Sequence, residues 1–141
     1  ARETCFTLSL DTPAALAEAA RRVPNLKLLK LKLGGVGDDA RMRAVRAARP
    51  DARLVGDANE AWTDELLVPL LAVAAECGFE TIEQPLPASG DGALAACPHP
   101  VAVCADESAH VAIDIPSLAG RYDAVNIKLD KAGGLTEALA M

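Results

Sequence analysis

Five charged residues at a nearly constant spacing constrain this chain more than any other feature. Lys32, Asp57, Glu83, Asp106 and Lys128 follow one another at intervals of 22 to 26 residues, each at the C-terminal edge of a short apolar run. That interval accommodates one strand, one helix and two turns, so the pattern predicts a repeated β-α unit with a charge at the same point of each repeat. Strands re-entered from the same end each time form a parallel sheet with helices outside it. Their C-terminal ends then share one rim, where five residues distant in sequence converge.

The first of these runs, residues 28–33, reads Leu-Leu-Lys-Leu-Lys-Leu and leads into Gly34-Gly35. Alternate side chains of a strand share a face, so Lys30 and Lys32 point one way while Leu29, Leu31 and Leu33 point the other. Two cations looking into one space call for anionic partners, and the carboxylates at the following strand ends supply them.

The rest of the chain keeps the same beat. Strands are predicted over residues 4–10, 27–33, 53–57, 80–83, 101–104 and 124–127. Helices are predicted over 13–22, 38–49, 64–77, 92–97, 114–118 and 135–141. Thr12-Pro13 caps the first helix, Asp38-Asp39 opens the second, Thr63 caps the third and Gly78 closes it. The fold class is therefore α/β with about six β-α units. A barrel and an open doubly wound sheet both fit this beat; a closed eight-unit barrel needs about 250 residues, so as a barrel the chain would be incomplete.

Composition removes several classes of function. A net charge of −6, with the fourteen basic residues scattered, argues against a nucleic-acid surface. The longest apolar run, residues 66–75, contains Pro69 and is too short for a membrane span. Cys5, Cys77, Cys97 and Cys104 form no CxxC pair, and no signal-peptide pattern opens the chain, so a reducing cytoplasm is expected.

Three hard oxygen donors on strand ends, with no histidine or cysteine at equivalent positions, suit Mg²⁺ rather than zinc. Lysines on either side of such a site can take or give a proton at a carbon beside a bound carboxylate. Asn59, on the same face as Asp57, is placed to orient these groups, and Glu107 either does the same or points outwards. Lys27 and Lys131 read as surface lysines, of which Lys131 lies close enough to the site to join it. Trp62 is expected to pack, His99 and His110 to be neither ligands nor bases, and Gly34-Gly35-Val36-Gly37 lacks the spacing of a dinucleotide loop.

The runs Lys30-Leu31-Lys32, Asp57-Ala58-Asn59-Glu60-Ala61-Trp62, Glu83-Gln84-Pro85, Ala105-Asp106-Glu107-Ser108 and Asn126-Ile127-Lys128-Leu129-Asp130-Lys131-Ala132-Gly133-Gly134 resemble the enolase superfamily. Within it they are most similar to the muconate-lactonizing subgroup and its L-Ala-D/L-Glu (dipeptide) epimerases. The resemblance implies an incomplete TIM-type (β/α) barrel over residues 1–141, with an N-terminal capping domain and the last barrel units absent. It implies Asp57, Glu83 and Asp106 as Mg²⁺ ligands, Lys32 and Lys128 as acid/base catalysts, and Lys30 as their electrostatic assistant. The implied substrate is a small carboxylate, a dipeptide, epimerised by removal and return of its α-proton. Cycloisomerases and o-succinylbenzoate synthases share the scaffold, and a non-catalytic barrel piece is the reading from another class. The open edges of the first and sixth strands lead to an expectation of self-association into a homo-oligomer.

Overall fold

The structure, a computed structural model, describes residues 4–141. Its strands are β1 (Phe6–Leu8), β2 (Leu28–Lys32), β3 (Arg53–Asp57), β4 (Phe79–Glu83), β5 (Ala102–Ala105) and β6 (Ala124–Val125). Its helices are α1 (Pro13–Arg21), α2 (Asp38–Ala48), α3 (Asp64–Glu76), α4 (Ile115–Leu118), α5 (Leu129–Ala132) and α6 (Leu135–Ala140). The strands form one sheet in the order β1-β2-β3-β4-β5-β6, every pair parallel. This sequential, all-parallel order is that of a barrel wall; a doubly wound sheet would reverse direction from its first strand.

One face of the sheet is dry. Leu29, Leu31, Leu54, Ile82 and Val103 point to it and are fully buried against Leu16 and Ala20 of α1, Met42 and Val45 of α2, and Leu67, Leu71 and Ala74 of α3. Burial alternates along β2, with Lys30 and Lys32 on the other face only partly covered, so the predicted division of the 28–33 run holds. The register then sets the site, because Lys32 pairs with Asp57 and Asp57 with Glu83. Three of the five spaced charges lie side by side in one row.

Local signals account for most boundaries. Thr12 Oγ1 accepts the Ala15 N–H and Pro13 occupies the first turn of α1. Gly78, at φ 65°, closes the turn after α3 in the left-handed region that a side chain resists. Thr63 precedes α3, yet its side chain makes no capping bond to the helix. The helix predicted over 92–97 is instead a 3-10 helix over Asp91–Ala96. The region after β6 holds an additional short helix, α5, which the beat alone did not indicate.

Candidate active site

The rim at the C-terminal ends of β2 to β6 is a continuous network of charges. Lys30 Nζ lies 2.8 Å from Asp57 Oδ2 and donates to Glu83 Oε2 at 2.6 Å. Lys32 donates to Asp57 Oδ2 at 2.7 Å and to Asn59 Oδ1 at 2.5 Å. Across the rim, the Lys128 ammonium donates to Asp106 Oδ2, while Lys131 donates to Asp106 Oδ1 at 2.6 Å and to its backbone carbonyl at 2.7 Å. The residues singled out from sequence are thus together, with Lys30 and Lys32 at one end, Lys128 and Lys131 at the other, and the three carboxylates between.

Burial makes these charges interdependent. Asp57 and Asp106 are each about 1% exposed and Glu83 9%, so each carboxylate depends on its neighbours for the solvation that water would otherwise provide. Burial, reinforced by Asp57 and only partly offset by Lys30 and Asn126, raises the pKa of Glu83. Burial pushes Asp106 the same way, but the hydrogen bonds from Lys128 and Lys131 prevail and hold it at about 2. Desolvation works against the Lys30 ammonium, yet Asp57 and Glu83 outweigh it and raise its pKa. Lys128 is raised chiefly by its bond to Asp106. Burial and the adjacent carboxylates push the Cys104 thiol, on the same face, up to about 12, so it stays protonated and brings no thiolate chemistry.

Among the described residues no three Asp, Glu, His or Cys side chains are gathered as a metal cage; ammonium groups lie on the carboxylate oxygens that face the site. The donor chemistry nonetheless fits a hard divalent cation. Asp57 and Glu83 approach each other only with the Lys30 ammonium between them, and the donors offered are carboxylates, the oxygen set that suits Mg²⁺.

Sequence reasoning missed the scaffold below this rim. Gln84 is fully buried at φ 36°, a left-handed value that costs a non-glycine residue about 1 kcal/mol or more. Its Oε1 accepts the N–H groups of Asp106 at 2.9 Å and Ser108 at 3.1 Å, and the two hydrogens of its Nε2 are shared among Leu86 O, Ser108 Oγ and Tyr122 Oη. Tyr122 in turn donates to Asp91 Oδ2 at 2.8 Å, and Arg121 pairs with the other Asp91 oxygen. Asn126 Nδ2 donates to Glu83 Oε1 at 3.0 Å. A polar residue directly after a strand-end carboxylate and before Pro85 was the available signal for Gln84; the others gave none.

Trp62 packs as expected and also donates from Nε1 to Asp38 Oδ2 at 2.9 Å. His99 is held between Asp123 and the Leu94 carbonyl, away from the rim residues.

The buried phenol gives a pH prediction. Burial, and then the neighbouring Asp91, raise Tyr122 above its usual value. Its contribution to stability is complete below the ordinary phenol value of about 10 and is lost as pH rises from there through the folded value. Tyr122→Phe is expected to lose about 1–3 kcal/mol near neutral pH, and urea titrations above pH 10 should show a shallower further decline in the variant than in the parent.

Comparison with known proteins decides the family. Residues 14–141 match the family model described as enolase C-terminal domain-like. The chain belongs to that family. It is 47% identical over 140 residues to the L-Ala-D/L-Glu epimerase of Escherichia coli (strain K12), covering 98% of this chain and 44% of that protein. It is 44% identical over 135 residues to the N-acetyl-D-glutamate racemase of a Pseudoalteromonas species, covering 96% of this chain and 43% of that one. Among solved structures, the dipeptide epimerase of Enterococcus faecalis V583, complexed with Mg and L-Leu-L-Tyr, superposes with a TM-score of 0.88 at 36% identity, covering 97% of this chain and 41% of that chain. The chain therefore spans less than half the length of these relatives. The expected α/β barrel fold and superfamily are borne out. No helix among the described residues is long and apolar enough to cross a membrane.

Proposed function

We propose that this chain carries the proton-transfer site of a Mg²⁺-dependent dipeptide epimerase of the L-Ala-D/L-Glu type. The observation that carries the reading is the placement of two lysines, Lys32 and Lys128, at opposite ends of one row of buried carboxylates. Asp57, Glu83 and Asp106 would hold Mg²⁺, which when bound supplies positive charge opposite the substrate carboxylate.

The chain's own side chains account for the proton movements. One lysine, neutral, takes the α-proton from its face; the other, as ammonium, delivers a proton to the opposite face. One C–H bond is broken and one is made, and both lysines reset by exchange with solvent. Lys30 stays charged between Asp57 and Glu83 and opposes the negative charge that develops when the α-proton leaves. The pairing that raises Lys128 also resists its service as a base, so its ammonium must part from Asp106 and give a proton to solvent before the neutral amine can take the α-proton. In this reading a capping domain and two further β-α units, within the length that the relatives have beyond this chain, cover the site and select the side chain.

A second substrate class follows from the 44% identical N-acetyl-D-glutamate racemase. Alanyl-glutamate and N-acetylglutamate are both N-acylated glutamates, so the chemistry at the reacting carbon is shared. The test is α-proton exchange in D₂O by the protein as its gene encodes it, with L-Ala-L-Glu, L-Ala-D-Glu, N-acetylglutamate and a muconate control. Exchange on the dipeptides that stops with EDTA and returns with Mg²⁺ is expected. Exchange on N-acetylglutamate alone selects the racemase reading, muconate turnover selects the cycloisomerase, and no exchange on any of them overturns the proposal.

A further inference from the structure

Asn59 is an amide whose orientation decides what it offers to Lys32. Its Oδ1 accepts from Lys32 Nζ at 2.5 Å, and its Nδ2 donates to Glu107 Oε1 at 3.2 Å. Its backbone N–H donates to Asp57 Oδ1 at 3.1 Å, and its φ of 43° places it in the left-handed region, so the residue is held by both ends. If the amide rotated by half a turn, an NH₂ group would face the Lys32 ammonium and a carbonyl oxygen would face the Glu107 carboxylate. Both contacts would then be repulsive, donor against donor and acceptor against acceptor. A carboxylate at position 107 therefore fixes which way Asn59 points.

The position is kept at a cost. Glu107 Oε2 is buried without a hydrogen-bond partner, alone in that respect among the described side chains, and an unsatisfied buried acceptor is destabilising. Packing alone gives no reason for a carboxyl group there, since Glu107 makes no salt bridge among those found at the rim.

We propose that Glu107 is a positioning residue for Lys32, acting through the Asn59 amide. This role rests on the reading of Lys32 as an acid/base group. It differs from a general structural role in being one-sided in its hydrogen bonds: the relay Glu107–Asn59 ends on Lys32, while toward Lys128 Glu107 acts only through space, as a minor contribution beside the bond from Asp106.

The experiment uses the protein as its gene encodes it and has two readouts. The first is independent of turnover: the side-chain NH₂ signals of Asn59 in ¹⁵N-labelled protein, assigned by their absence in Asn59→Ala. These should be shifted and slow to exchange in the parent and in Glu107→Gln, whose Oε1 can still accept, and averaged in Glu107→Leu. The second is deuterium exchange of each substrate epimer separately. Glu107→Leu is expected to slow exchange of the epimer whose α-proton faces Lys32 by at least tenfold and the other by less than twofold. Glu107→Gln should restore most of the loss, and Glu107→Leu added to Asn59→Ala should cost nothing further. Equal loss for both epimers, additive loss with Asn59→Ala, or unchanged Asn59 signals in Glu107→Leu overturns the proposal. Intact Asn59 signals in a parent that exchanges neither epimer would overturn the epimerase reading and leave the relay standing on the first readout.

Discussion

Lys32→Ala and Lys128→Ala should each reduce epimerisation by about 10³-fold or more and should fail in opposite ways. Each variant keeps one lysine on one face. Each therefore retains α-proton exchange with the epimer that presents its proton to that lysine and loses exchange with the other. The magnitude reflects removal of the lysine proposed to carry the proton on that face; water in its place is neither positioned nor matched in pKa. Deuterium incorporation followed by NMR with each epimer in turn measures the effect. Unchanged exchange in both variants would remove the lysines from the mechanism. Lys30→Ala should differ from both by slowing the two epimers alike, since its ammonium lies between Asp57 and Glu83 and belongs to neither face.

The largest effect on stability is expected away from the rim, at Asp38. Its carboxylate is fully buried and accepts the N–H groups of Gly34 and Gly35, the Trp62 indole N–H and the Arg41 guanidinium. Asp38→Ala strands buried donors and unpairs a charged one, and should cost about 3–5 kcal/mol in urea denaturation. Asp38→Asn keeps one acceptor oxygen and should cost less. The site feels the loss too, because Gly34 and Gly35 continue directly from the strand that carries Lys30 and Lys32. A loss under 1 kcal/mol would show that water or another acceptor takes over these donors.

What was legible in the sequence was periodic. The constant interval between strand-end charges carried both the parallel sheet and the membership of the rim, because a parallel register repeats the same geometry at each unit. Alternation within residues 28–33 likewise carried the facing of Lys30 and Lys32. What was not legible acts through single side chains reaching across the chain. Gln84 bonds to residues at and beyond position 106, and Tyr122 to Asp91; neither contact leaves a period or a spacing to read. Asp38 was legible as a helix opener, since acidic residues favour a first turn, but its bonds to the preceding glycines and to Trp62 depend on how the loop folds back. Lys131 illustrates a signal that was available. It lies three residues after Lys128, which directly precedes α5, and it bonds Asp106 as directly as Lys128 does.

The central claim is that two lysines serve two faces of one carbon. The most direct measurement is the hydrogen isotope at the α-carbon of the product epimer after a single turnover in D₂O, starting from α-protiated L-Ala-L-Glu. With two bases the incoming proton comes from a lysine already equilibrated with solvent, so the first product epimer should carry deuterium only. Protium carried from substrate into that product would mean that one group serves both faces, and would contradict the account.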